Sequence, residues 1–202
     1  MKSRALSNDH YRDILTAPNV ITLFRILLVP VFVVCFVRGR FWWATAAFAL
    51  AGLSDAADGW LARRLNAQSQ LGQALDPIAD KLLMLSSYIV MAIPSEANAP
   101  IPWWLSVVVI GRDVGIVTAA AIIAHVTGFR DFKPSLPGKI STLCQVALIV
   151  IYLLAQTMTA LHPALPWCVA VVFVMTAYSG LHYVWLVSQE VSEFRRQAGR
   201  SS

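Results

Sequence analysis

Six stretches of about 20 mostly apolar residues recur along the chain, near 19–37, 41–62, 73–93, 102–126, 138–160 and 166–188. A run of that length, wound as an α-helix, is long enough to cross the hydrocarbon of a bilayer. The joins between the runs are short, which predicts an all-α fold: a polytopic membrane protein built as a six-transmembrane-helix bundle. Charge supports this, since only 13% of residues are charged and 57% are hydrophobic, whereas a soluble domain averages about 25% charged. The expected organisation is a cytoplasmic N-terminal segment at 1–18, one membrane domain at 19–190 and a basic cytoplasmic tail at 191–202.

The basic residues alternate across these spans. Lys2, Arg4, Arg12, Arg63, Arg64, Arg130, Lys133, Lys139, Arg195, Arg196 and Arg200 fall on one side. Only Arg38 and Arg40 fall on the other, and the loops at 94–101 and 161–165 carry no Lys or Arg. By the positive-inside rule both termini are cytoplasmic. Trp42, Trp43, Trp103, Trp104 and Trp167 then collect at the outer ends, as an interfacial aromatic belt does. Membrane orientation thus accounts for the net charge of +5 without a nucleic-acid partner. The N-terminal residues are too polar for a secretory signal. Cys35, Cys144 and Cys168 sit inside apolar runs and read as small hydrophobes, neither a disulfide frame nor a metal cluster.

Against this apolar background, Asp55, Asp58, Asp76 and Asp80 place four carboxylates within 26 residues. One Asp at the centre of a membrane helix costs roughly 2.5–3.5 kcal/mol. Four unpaired would cost on the order of 10 kcal/mol, comparable with the whole stability of a domain. The topology puts them at the end of the second span and the start of the third, near the cytoplasmic face. Asp55 and Asp58 are spaced i,i+3, and Asp76 and Asp80 i,i+4, so each pair shares a helix face. Like charges so placed repel and call for a cation between them. Oxygen-only ligands suit hard ions such as Mg²⁺ or Mn²⁺. Gly59 and Gly72 let a ligand approach the backbone closely. Arg63, one turn beyond Gly59, can meet a phosphate bidentately. Pro77 is expected near the start of its helix, where a missing N–H matters least. Metals, an arginine and close-approach glycines together describe a diphosphate site.

The spacing Asp-x2-Asp-Gly-x2-Ala-Arg-x8-Gly-x3-Asp-x3-Asp is met by Asp55, Asp58, Gly59, Ala62, Arg63, Gly72, Asp76 and Asp80. It resembles the signature of the CDP-alcohol phosphotransferases, a family of six-helix membrane enzymes. Pro18-Asn19-x2-Thr22-x2-Arg25 is similar to the family's first-helix segment. Gly111-Arg112-Asp113 and Gly138-Lys139-x2-Thr142 resemble elements of its phosphatidylglycerophosphate synthase and cardiolipin synthase branches. The resemblance implies transfer of a phosphatidyl group from CDP-diacylglycerol to an alcohol, with release of CMP, in a bacterial inner membrane. It implies that Asp55, Asp58 and Asp76 hold two divalent ions on the diphosphate. Asp80 would accept the proton of the acceptor hydroxyl and share a metal, and Gly59, Ala62 and Gly72 would line the cytidine pocket. Two metals can stabilise both the attacking and the leaving oxygen of an in-line displacement. A carboxylate among carboxylates is also a better base than one alone. No Ser–His or Cys–His pairing calls for a covalent intermediate.

Glycerol 3-phosphate is the expected acceptor, with phosphatidylglycerol, the cardiolipin synthase acceptor, as the alternative. Arg25, Arg112 and Lys139 are the candidates for an acceptor-phosphate pocket. Many glycerol-phosphate enzymes of the family carry a second lysine two residues after the one at 139, where this chain has Ser141. Blander readings exist for several residues. Arg25 and Arg112 could snorkel to headgroups, Lys81 could pair with a carboxylate, and Asp113 with a nearby cation. His125 and His182 read as bundle residues, His10 and His162 as surface. Gly111-x3-Gly115 would permit a close helix pairing, including one in a homodimer. Intramembrane acids also mark transport pathways, but the two halves show no internal similarity of the kind transporters often have. A prenyltransferase of the Asp-rich membrane type would spread its acidic segments over a larger bundle.

Overall fold

The computed structural model describes residues 17–65, 70–95, 98–127 and 136–198, with side chains for 22–54, 78–95, 98–119 and 136–189. The described residues are all-helical and contain no strand. Six α-helices run in order: α1 (Ala17–Val37), α2 (Phe41–Leu65), α3 (Gln70–Ala92), α4 (Trp103–Thr127), α5 (Leu136–Ala155) and α6 (Leu165–Ala198). A 3₁₀ segment, Thr159–Ala164, joins α5 to α6. Each helix overlies one expected span. Several begin at a proline: Pro18 in α1, Pro137 in α5 and Pro166 in α6 are second residues, and Pro102 precedes α4. There the fixed φ suits a helix start and no hydrogen bond is lost. Pro77 departs from expectation. Because α3 begins at Gln70, Pro77 stands about two turns into the helix.

The chain divides into two compact units, Met1–Ala99 and Pro100–Ser202. In the first, α1 packs against both α2 and α3. Its centre is aromatic. Phe32 lies 6.1 Å from Phe36 and 5.9 Å from Phe48 between ring centroids, and Phe36 meets Phe41 edge-on at 5.5 Å. Ala44, Ala47 and Ala51 are buried at helical spacing on α2, where small side chains let a neighbouring helix approach. The turn into α2 is set by Gly39, at φ 68°. Gly39 N–H donates to Phe36 O and Arg40 N–H to Cys35 O, both at 2.9 Å, the Schellman pattern that satisfies the last carbonyls of α1.

In the second unit α6 packs against both α4 and α5. The buried stripe of α5 is Ser141, Gln145, Leu148, Ile149, Tyr152, Leu153 and Ala155, which follows the helical period. Trp104 of α4 meets Phe173 of α6 edge-on at 5.4 Å.

Large apolar side chains face outward on every helix, among them Leu27, Trp43, Leu53, Ile78, Val117, Leu143 and Leu181. By length and hydropathy, two described segments could cross a membrane, Leu136–Ala155 and Thr159–Gln189; Thr22–Val37 and Phe41–Ser54 are shorter apolar helices. The remaining helical stretches hold charges. Asp55, Asp58, Arg63 and Arg64 fill the end of α2, Asp76, Asp80 and Lys81 lie in α3, and Arg112 and Asp113 are midway along α4. The three cysteines are free and half-buried, as small hydrophobes in apolar runs should be.

Candidate active site

Helix α2 continues unbroken through Asp55, Asp58, Gly59, Ala62 and Arg63, and α3 through Gly72, Asp76 and Asp80. The i,i+3 and i,i+4 spacings are therefore helical spacings, and each pair of aspartates lies on one side of its helix. The side chains of Asp55, Asp58, Gly59, Ala62, Arg63, Gly72 and Asp76 lie outside the described residues. Asp80 is half-buried and partnered, and its neighbour Lys81 is exposed and also partnered. Among the described side chains no three His, Cys, Asp or Glu residues converge. The donor set carried by α2 and α3 is purely carboxylate. That chemistry suits a hard divalent cation better than zinc.

Helix α1, which packs against both aspartate-bearing helices, contributes Thr22 and Arg25. One turn apart, they are exposed by 0% and 1%. Both are partnered. Arg25 therefore does not snorkel toward an interface. A buried guanidinium is stable only beside negative charge or full hydrogen bonding. The segment Pro18-Asn19-x2-Thr22-x2-Arg25 thus delivers its last two fixed residues to the interior of the first unit.

The other two acceptor candidates belong to the second unit. Lys139 is exposed in the first turn of α5, where Thr142 donates to the Gly138 carbonyl at 3.1 Å. The Arg112 side chain on α4 is 11% exposed and forms an ion pair with Asp113, Nη1 to Oδ1, at 2.8 Å. Its Nη2 donates to Ser179 Oγ of α6. Snorkelling is overturned for Arg112 as well, and Asp113 has the cationic partner expected of it. His162 is exposed, as read, and His182 is half-buried between Tyr178 and Trp185.

A buried polar seam joins α5 and α6, with no mark in the apolar runs of the sequence beyond the spacing of its residues. Ser141 Oγ lies 3.3 Å from Thr176 Oγ1, and Gln145 Nε2 donates to Thr176 Oγ1 at 3.2 Å and to Ser141 Oγ at 3.4 Å. The detectable signal was spacing: Ser141 and Gln145 are i,i+4, and Thr176 and Ser179 are i,i+3. Ser141, at the place of a second lysine in many glycerol-phosphate enzymes, is wholly buried in this seam.

A carboxylate motif on two successive helices, in a chain whose described residues are helical with outward apolar faces, marks a narrow class of proteins. The description of the CDP-alcohol phosphatidyltransferase family matches residues 15–189, and the chain belongs to that family. Its relatives include the rat cardiolipin synthase (CMP-forming), 32% identical over 89% of this chain and 65% of the rat protein. The CDP-diacylglycerol–glycerol-3-phosphate 3-phosphatidyltransferase of Blochmanniella floridana is 29% identical over 92% of this chain and 97% of that protein. A probable phosphatidylglycerophosphate synthase of Mycobacterium tuberculosis is 30% identical over 89% and 85%. The chain spans 59–65% of the length of the animal cardiolipin synthases it matches.

Proposed function

We propose that this chain is a phosphatidyltransferase that joins the phosphatidyl group of CDP-diacylglycerol to glycerol 3-phosphate, giving phosphatidylglycerophosphate and CMP. The observation that carries the proposal is the eight-residue carboxylate motif on α2 and α3, with Thr22 and Arg25 buried on the helix packed against both. Near-full coverage of the Blochmanniella enzyme supports glycerol 3-phosphate as acceptor. The second reading is cardiolipin synthesis with phosphatidylglycerol as acceptor. Ser141 in place of a second lysine, and the identity to the rat enzyme, favour it.

The six helices are proposed to form one membrane bundle at 19–190, in a bacterial inner membrane, with segments 1–18 and 191–202 cytoplasmic. Outward apolar side chains on every helix support this, as does the position of Trp42, Trp43, Trp103, Trp104 and Trp167, all exposed at or near the starts of α2, α4 and α6. A homodimer is consistent with Gly111 and Gly115, where an added Cβ would meet nothing within 4 Å.

Asp55, Asp58 and Asp76, with Asp80 sharing, would hold two Mg²⁺ or Mn²⁺ ions. When bound, such ions neutralise the diphosphate and the developing charge on CMP. Gly59, Ala62 and Gly72 leave room for cytidine, and Arg63 pairs with a diphosphate oxygen. Asp80 takes the proton of the acceptor hydroxyl as its oxygen bonds to the phosphatidyl phosphorus and the bond to CMP breaks. Arg25, Arg112 and Lys139 hold the acceptor's phosphate. Buried cations and carboxylates in a low-dielectric site act more strongly than they would in water.

The deciding experiment gives purified enzyme CDP-diacylglycerol with either glycerol 3-phosphate or phosphatidylglycerol and resolves the lipid products. Phosphatidylglycerophosphate is expected; cardiolipin alone would move the chain to the second reading, and no product from either would end both. Activity should also vanish in excess chelator and return with Mg²⁺ or Mn²⁺, whereas full activity in chelator would sink the metal assignment.

A further inference from the structure

Arg112 is held in an unusual way for a candidate anion binder. Nη1 is committed to Asp113 at 2.8 Å and Nη2 to Ser179, while Nε is buried and makes no hydrogen bond. A guanidinium offers five donors in a rigid fork. Two anchors on the Nη groups fix its plane and leave Nε as the guanidinium nitrogen with no hydrogen-bond partner. A buried donor without an acceptor is costly, and an anionic oxygen arriving at Nε would relieve the cost.

The anchor on the far side is itself held firmly. Ser179 is wholly buried on α6. One turn earlier on the same face, Thr176 locks α6 to Ser141 and Gln145 of α5. One turn later, Tyr183 Oη donates to the Ile116 carbonyl of α4 at 3.3 Å. At Gly180, an added Cβ would lie 3.7 Å from Arg112 Cγ, so the α6 backbone runs alongside the arginine stem. Helix α6 is thereby fixed to both neighbours, and Ser179 Oγ is presented to Arg112 at a set place.

We infer that Ser179 is a positioning residue. With Asp113 it orients the Arg112 guanidinium so that its Nε edge meets the phosphate of the acceptor alcohol. The inference rests on the proposed phosphatidyl transfer and on Arg112 as an acceptor-phosphate ligand. It assigns no chemistry to Ser179, which acts through Arg112 alone. The ligand chemistry is a phosphate on a glycerol, whether the free monoester of glycerol 3-phosphate or the diester of phosphatidylglycerol. The assay therefore offers both and follows whichever is turned over.

The test uses the full chain in lipid nanodiscs, with acceptor and CDP-diacylglycerol titrated separately. Ser179→Ala should raise the acceptor KM about tenfold, as loss of a hydrogen bond to a charged group does, and leave the CDP-diacylglycerol KM and the unfolding midpoint near wild type. Ser179→Thr, which keeps the hydroxyl, should restore most of the loss. In an Arg112→Ala background, Ser179→Ala should add nothing. Leu153→Ala, which opens a cavity on α5 about two turns from Gln145 and touches neither the seam nor Arg112, should lower the unfolding midpoint with no selective change in acceptor KM. Equal shifts of both KM values in Ser179→Ala, or a full additional effect in the Arg112→Ala background, would overturn the inference. If Arg112→Ala itself leaves the acceptor KM at wild type, the acceptor-pocket reading fails instead, and a Ser179 effect seen alone would then belong to packing.

Discussion

At Asp80 a carboxylate and its neighbour Lys81 both lie on α3, both are partnered, and the carboxylate is half-buried. The proposed chemistry gives Asp80 a task distinct from that of the other three aspartates, so the substitutions should separate. Asp80→Asn keeps an oxygen ligand but removes the base. It should retain CDP-diacylglycerol binding while turnover falls by about 10²–10⁴-fold, the usual contribution of a positioned general base. Asp55→Asn should lose both, because the diphosphate would face weakened metal binding. Binding of a labelled cytidine liponucleotide, set beside single-turnover rates, distinguishes the two. Wild-type turnover in Asp80→Asn would remove it from the base role. Arg25 makes a complementary point about burial. From the sequence, ligand binding was the favoured reading for it and snorkelling the blander one. At 1% exposure the arginine has left the interface, and no single-residue property forecasts that, because burial is decided by the helices packed around it.

At the scale of the element, α1 shows how local chemistry sets a helix end. Gly39 occupies the left-handed region at φ 68° and closes the Schellman pair onto Phe36 and Cys35. A β-branched side chain there clashes with its own backbone. Gly39→Val should cost about 1–2 kcal/mol and lower the unfolding midpoint in detergent; an unchanged midpoint would show that the turn relaxes without strain. The helices themselves were legible because apolar runs and initiating prolines are local signals. Their ends were less so. The span expected to end at 160 stops at Ala155, where Thr157 Oγ1 and the Met158 N–H both turn back to the Leu154 carbonyl, at 2.9 and 2.8 Å. The last span, expected to end at 188, belongs to a helix that continues to Ala198. Hydropathy fades at Gln189 while helix propensity does not, since Gln, Glu and Arg are good helix formers. The seam of Ser141, Gln145, Thr176 and Ser179 was invisible to hydropathy because averaging over 20 residues dilutes four polar atoms. Its pairing is tertiary, and spacing alone could only mark the residues as sharing a face.

For the whole molecule, the carboxylate motif was the most legible part of the site, because it is written as fixed spacing in one short segment. The proposed acceptor-phosphate residues were the least legible, since Arg25 lies on α1, Arg112 on α4 and Lys139 on α5, and no short-range spacing relates them. What unites them in the proposal is sidedness. Glycerol 3-phosphate is a water-soluble dianion, so all three cations and the four aspartates must open to the compartment that supplies it. The proposed topology assigns Arg63, Arg64, Lys139 and the basic residues at 195–200 to that side, and the loops at 94–101 and 161–165, without Lys or Arg, to the other. The arrangement is directly measurable in a chain from which Cys35, Cys144 and Cys168 have been replaced. New single cysteines near residue 5 or 200 should react with a membrane-impermeant thiol reagent only after the cytoplasmic face is opened. Cysteines at Thr159 or Ala99, both exposed, should react in intact cells. Labelling of both termini from outside would invert the protein and place the proposed site where glycerol 3-phosphate is not supplied. Labelling of one terminus from each side would require an odd number of spans and would break the six-helix bundle itself.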